Sequence, residues 1–260
     1  MSQLEFLSAA AAVSMADEWF DFSDRDHFWM RWRFDVLYRQ MRRLGITPGK
    51  TLEIGCGHGV VRQQMEEAFM VPVDGCDLNE HALRMASAGQ GRLLVYNIFD
   101  RLPEMCGAYD MILLMDVIEH VDSDLAFLKT SLEHLKPEGF VAINVPAHRF
   151  LYSKYDRVNG HKRRYNCERL YSLFGKSDVK PLAMVNWGFS LVPLLLLRKL
   201  VLKFVPEERA IETGFAPPGR VTKAGLDLLE GIETKIPIDM PIGTSIMALG
   251  RLNKSPFHSR

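Results

Sequence analysis

The stretch Glu53-Ile54-Gly55-Cys56-Gly57-His58-Gly59 is where the chain concentrates residues able to do chemistry. Three glycines at alternate positions let the backbone turn sharply and let a ligand approach it closely, because no Cβ stands in the way. Asp77 follows 18 residues after Gly59. A carboxylate there can accept two hydrogen bonds from the hydroxyls of a ribose. A glycine turn and an acid about twenty residues on also describe a dinucleotide-binding site, but that turn reads GxGxxG and its third glycine would fall at Val60. The spacing here is GxGxG with Glu53 leading it, which opposes a nicotinamide oxidoreductase.

These residues need a scaffold that brings a turn and an acid to one edge. Residues 51–55 read as a short apolar strand, and alternation continues from there: helix 60–69, strand 71–77, helix 79–88 capped by Asn79, strand 93–96, strand 110–115, helix 122–135, a Pro137-Glu138-Gly139 turn and strand 140–145. Repeated strand–helix units predict a parallel sheet with helices on both faces, and ligands bind such sheets outside the carboxyl ends of the strands. Before the turn, residues 17–45 read as a helix with a broad apolar face that includes Trp19, Phe20, Trp29 and Trp32. After Pro146 the alternation stops. Residues 147–175 are polar, basic and aromatic, 179–187 read as a strand, and 189–205 as an apolar helix. A linker at Pro217-Pro218-Gly219 precedes a helix at 222–234, and 244–252 closes the chain as a strand.

Composition narrows the function. The chain has 260 residues, 47% of them hydrophobic, with 32 basic and 32 acidic side chains and a net charge of zero. That is enough for a sizeable core, and it argues against a general nucleic-acid binder. Cys56, Cys76, Cys106 and Cys167 form no CxxC pair and no metal-ligand spacing, which fits a reducing compartment and no metal. No apolar run is long and charge-free enough to span a membrane. Residues 7–16 are small and apolar, but Glu5 stands where a signal peptide would be basic, so they read as a helical or frayed leader. A cytoplasmic protein is expected, with the inner-membrane periphery open as a second location.

The full set of motifs resembles the class I S-adenosylmethionine (SAM) dependent methyltransferases. ExGxGxG, Asp77, YNIFDRLP (96–103), YDMILLMDVIEH (109–120), LKPEGFVAINVP (135–146) and a late strand pair occur in that family's order. The chain is most similar to the bacterial branch with an HFWxxxR segment (His27, Phe28, Trp29, Arg33) before the turn and a GHxRRY segment (Gly160, His161, Arg163, Arg164, Tyr165) after the fifth strand. The resemblance implies an α/β, Rossmann-like fold with a seven-stranded, mostly parallel sheet whose last strand is antiparallel. It also implies an N-terminal helical cap (1–46) and a SAM-binding domain (47–260) carrying a helical insertion at about 188–243. By the same resemblance, Glu53, Gly55, Cys56 and Gly57 face the methionine part of SAM, Asp77 holds the ribose, and Leu78 and Ile98 flank the adenine. Asn97 stands where the family usually has an aspartate. Asp116 and Val117 line the site, and Arg33 pairs with the SAM carboxylate as a bidentate fork.

Methyl transfer to an alcohol benefits from a general base, and histidine suits neutral pH. His161 is the leading candidate, with Asp156 to orient it; His148 and Tyr155 are the others. Oxygen is the first choice of acceptor atom, then carbon, then nitrogen. The basic clusters at 25–43 and 154–169 and the apolar helix 189–205 suggest an amphiphilic acceptor such as a lipid, a polyketide-like metabolite or a lipid-linked sugar. That helix could instead touch a membrane, roof a pocket or form a homodimer interface. The competing class is a catalytically silent SAM-binding regulatory protein; a protein or RNA acceptor is a further alternative.

Overall fold

Strand β2 (Thr51–Ile54) lies mid-sheet with all four residues buried, Leu52 and Ile54 on an apolar face and Thr51 and Glu53 on the other. The computed structural model describes residues 4–11, 25–210, 220–233 and 240–253. Within them one sheet of eight strands is built from β1 (Leu4–Phe6), β2, β3 (Val73–Asp77), β4 (Leu93–Val95), β5 (Tyr109–Met115), β6 (Leu135–Pro146), β7 (Val179–Trp187) and β8 (Ser245–Leu252). Their spatial order is β1-β4-β3-β2-β5-β6-β8-β7. Pairing is parallel from β1 to β6, and β8 runs antiparallel to both β6 and β7.

The run Met111-Ile112-Leu113-Leu114-Met115 shows why the strands read as unbroken apolar segments. Ile112 and Leu114 point into one core with Phe127, Leu128 and Leu132 of α4 (Asp124–Leu132). Met111, Leu113 and Met115 point into the other, with Trp32, Leu37 and Met41 of α1 (Phe28–Leu44) and Val61 and Met65 of α2 (Val60–Phe69). A strand buried on both faces has no polar side to alternate. Local chemistry sets the helix ends. Asn79 accepts from the Ala82 amide to start α3 (Glu80–Met85), Ser123 accepts from Ala126 to start α4, and Gly45 at φ 67° ends α1.

The expected sheet is present, and it gains an eighth strand. Leu4–Phe6 pairs with Leu93–Val95 and covers what would be an open edge. Three residues are too short for a periodic signal, so the helical cap expected over 1–46 begins instead with a strand. Residues 7–11 are not helical; 12–16, Trp19, Phe20 and the Pro217–Gly219 linker lie outside the described residues. The turn expected at Pro137–Gly139 appears as a register irregularity inside β6, with Glu138 at φ 62°. After β6 come α5 (Lys154–Val158) and α6 (Cys167–Lys176), and the helix expected over 189–205 is shorter: a 3-10 turn at Phe189–Leu191 leads into α7 (Val192–Val201). The late helix is α8 (Arg220–Glu233), packed on α1.

Candidate active site

The glycine turn leaves β2 at Ile54 and enters α2 at Val60, with Gly55, Gly57 and Gly59 all at positive φ (71°, 53° and 76°). A Cβ on Gly55 would lie 2.5 Å from the Val117 methyl, so the position has neither the conformation nor the space for a side chain. Two carboxylates fix the turn from below. Glu53 Oε2 accepts from the Arg62 amide in the first turn of α2 at 2.8 Å. Asp77 Oδ2 accepts from the Gly57 amide at 2.8 Å, and its Oδ1 accepts from the Asn79 amide at 2.9 Å. Burial lifts the Asp77 carboxyl above the usual carboxylate range, against the pull of these backbone bonds.

Glu53 is pushed up to about 7 from its ordinary 4.5, first by burial, with Arg33 and the Arg62 amide pulling the other way. A carboxyl that binds its proton more tightly in the fold adds stability fully present below its unfolded value. That stability is lost as pH rises through about 7. Glu53→Gln keeps an acceptor for Arg62, so it is expected to stabilise the chain at pH 8 by about 1–3 kcal/mol and to change little at pH 4. Thermal unfolding of both proteins across that range checks it.

Beside the turn, Asp116 follows β5 at φ 60°, an uncommon conformation for a residue with a side chain. Its carboxylate accepts three hydrogen bonds from two side chains. Asn144 donates to both oxygens at 2.8 and 2.9 Å, and Arg33 Nη1 donates to Oδ2 at 2.7 Å. Trp187 donates from its indole to Asn144 Oδ1 at 2.9 Å. The buried Arg33 guanidinium also lies over the Trp29 ring at 4.9 Å, and its Nε makes no hydrogen bond. Arg33 therefore already has a carboxylate partner in the chain. Sequence reasoning missed Asn144 and Trp187, although an asparagine inside the apolar run of β6 was a signal, since a buried amide needs partners.

Residues after β6 supply the opposite wall. Asp156, in α5 (Lys154–Val158), is fully buried. Its Oδ1 takes His161 Nδ1 at 3.1 Å and Arg164 Nε at 2.7 Å, and its Oδ2 accepts from the Ser153 amide at 2.8 Å. These partners hold its carboxyl far below the usual range despite burial. His161 Nε2 lies 3.1 Å from the Asn159 side-chain amide. The His120 ring stands edge-on to His161 at 4.8 Å, and burial drives its imidazole down to about 3, so it is neutral. Glu119, His120 and His161 bring one donor atom each to within 4.8 Å of one another, a grouping able to hold a metal ion that the sequence spacing did not reveal.

A cavity of about 500 Å³ joins the two walls. Arg33, Glu53, Gly55, Cys56, Gly57 and Asp116 line it on one side of this pairing, and Tyr155, Asn159, His161 and Arg164 on the other. Leu194, Leu197 and Val201 of α7 add an apolar surface. His148 is not among the lining residues; its ring stacks on Phe150 at 5.4 Å. Tyr155 lines the cavity beneath the Arg198 guanidinium, 4.3 Å from its ring. Asp77, Leu78, Asn97 and Ile98 gather at and beyond the ends of β3 and β4, where residues 7–11 cross them: Ala11 donates to the Leu78 carbonyl, and the Asn97 amide donates to Ser8 Oγ. Asn97 Oδ1 already accepts from Phe99, Ile98 is buried in the core, and Val117 packs on that core. The two basic clusters are largely paired within the chain, Arg25 with Glu67, Arg31 with Asp227, Arg157 with Glu207 and Arg169 with Asp124.

A family model described as a methyltransferase domain matches residues 23–189. A ubiquinone biosynthesis O-methyltransferase of Vibrio campbellii is 31% identical over 103 residues, covering 37% of this chain and 43% of the relative. The match thus spans less than half of that relative's length. A SAM-dependent methyltransferase from Archaeoglobus fulgidus superposes with a TM-score of 0.51 at 14% identity, covering 84% of this chain and 94% of that one. The plantazolicin methyltransferase BpumL, solved with S-adenosylhomocysteine (SAH), superposes with a TM-score of 0.55 at 15% identity, covering 87% and 86%. At such identities the superpositions speak for the fold. The matched span takes in the glycine turn, Asp77 and the GHxRRY segment, so the chain belongs to the methyltransferase domain family, and S-adenosyl-L-methionine is its cofactor.

Proposed function

We propose that the chain methylates a hydroxyl oxygen on an amphiphilic small molecule, with His161 as general base. The observation that carries this reading is the single cavity that sets the glycine turn, Glu53, His161 and an apolar leucine surface around one space. Bound SAM supplies an already activated methyl group on a sulfonium and leaves as SAH.

The chain's own residues align, shield and move a proton. The turn fits the cofactor, because Gly55 and Gly57, both at positive φ, present bare backbone to the cavity beside Arg33. Gly55, Cys56 and Gly57 would hold the methionine part, with Glu53 beneath them. Asp77 would take the ribose hydroxyls, Leu78, Asn97 and Ile98 would border the adenine, and Val117 would stand by the glycine turn next to Asp116. Arg33, braced by Asp116, would offer its remaining N–H groups to the cofactor carboxylate. With Nδ1–H donated to Asp156, the Nε2 lone pair of His161 accepts from the Asn159 amide, and the acceptor hydroxyl would displace that amide to give its proton to Nε2 as the oxygen–carbon bond forms. The O-methyltransferase name of the curated relatives supports oxygen as the acceptor atom.

The test is SAH release with a panel of phenols and alcohols of increasing alkyl-chain length. Turnover that rises with chain length is expected. SAH binding without turnover of any acceptor would favour the silent SAM-binding alternative, and turnover confined to small hydrophilic acceptors would remove the amphiphile.

A further inference from the structure

The α7 helix presents two unlike halves. Its inner side is covered: Val192 is buried, Leu195 is half-buried against the core, and Leu202 in the following turn is fully covered. Its outer half, roughly half the circumference at 100° per residue, is apolar and open to solvent. There Leu194 is 46% exposed, Leu197 58%, Leu200 55% and Phe204 90%, with Leu196 and Val201 beside them. An exposed run of this size on one short element marks an interaction surface.

Two observations say what covers it. First, Leu194, Leu197 and Val201 line the cavity as well as being exposed, so the apolar surface runs without interruption from outside into the acceptor space. A molecule leaving an apolar phase would enter without crossing water. Second, Lys199 and the exposed Lys203 border this face and Lys154 reaches the Val205 carbonyl next to Phe204, while Arg198 turns inward over Tyr155. Lys199 donates to the Phe150 carbonyl, which sets a further exposed aromatic beside the helix. Cations bordering an apolar face suit an anionic lipid surface, where the stems stay in the apolar layer and the charges reach headgroups. Ten residues make about 15 Å of helix, half a hydrocarbon core, so this element lies in the interface and does not cross it.

We infer that α7 and the turn through Phe204 dock on an anionic bilayer, and that the acceptor passes from the lipid into the cavity between Leu194, Leu197 and Val201. The entry route rests on the amphiphilic-acceptor reading above; the docking does not. The test is co-sedimentation of the full chain with vesicles of phosphatidylcholine mixed with phosphatidylglycerol, and of phosphatidylcholine alone. Binding to the mixed vesicles is expected. The double variant Leu200→Glu, Phe204→Glu, at positions outside the cavity, is expected to weaken it by about tenfold or more while leaving SAH affinity unchanged. No partition onto either vesicle, or equal binding by the variant, overturns the proposal. So does a dimer in light scattering that the double variant converts to monomer without any vesicle binding, because the face would then belong to a second copy. Vesicle binding without turnover of any acceptor leaves the docking standing and removes the methyl-transfer reading.

Discussion

Replacing Asp77 with alanine is expected to lower affinity for SAH by about a hundredfold or more, since the proposed ribose site would lose two hydrogen bonds to a charged acceptor, each worth about 1.5–3 kcal/mol. The same carboxylate holds the Gly57 and Asn79 amides, so the glycine turn and the start of α3 lose their shared anchor. A melting temperature lower by several degrees is therefore expected as well, at roughly 2–4 °C per kcal/mol for a chain of this size. Asp77→Asn separates the two effects. It keeps one acceptor and the size of the side chain but not the charge, so it is expected to recover most of the stability and only part of the affinity. Calorimetric titration with SAH alongside thermal unfolding of both variants checks this. Unchanged affinity in the alanine variant would remove Asp77 from the ribose site.

The His161→Ala substitution is expected to reduce turnover by roughly 10²- to 10⁴-fold, the span usual for a positioned general base. SAH affinity should be unchanged, because His161 stands across the cavity wall from the glycine turn. Added imidazole should restore part of the rate, as a small base can enter the space the side chain vacates. A purely structural histidine would give a different pattern: lower stability, no selective loss of turnover and no rescue. Asp156 is the wrong place for the same experiment. Its carboxylate also holds Arg164 and the Ser153 amide, so its removal would disturb α5 and the Arg164 contact with the Ala147 carbonyl together.

The parts legible in the sequence were those governed by local chemistry. The strand at 179–187 and the helix at 60–69 fall where their apolar patterns put them, and Asn79 caps the helix it precedes. The turn was legible because only glycine tolerates three left-handed positions so close together. What could not be read was partnership at long range. Arg33 looked ready for a ligand carboxylate, yet its charge is met by Asp116, 83 residues away. Strand β1 was hidden because three residues carry no period, and its reason for being a strand is the edge of β4, not its own composition. His120 and Glu119 were invisible as a pair with His161, because His120 and His161, 41 positions apart, meet only in three dimensions.

The chain from Trp187 through Asn144 to Asp116 and Arg33 has a practical consequence. An indole whose N–H ends a relay reaching the cavity wall is an intrinsic fluorophore wired to the state of that wall. Emission from Trp187, read against a Trp19→Phe, Trp29→Phe, Trp32→Phe background, would follow occupancy of the pocket optically, without label, isotope or knowledge of the acceptor.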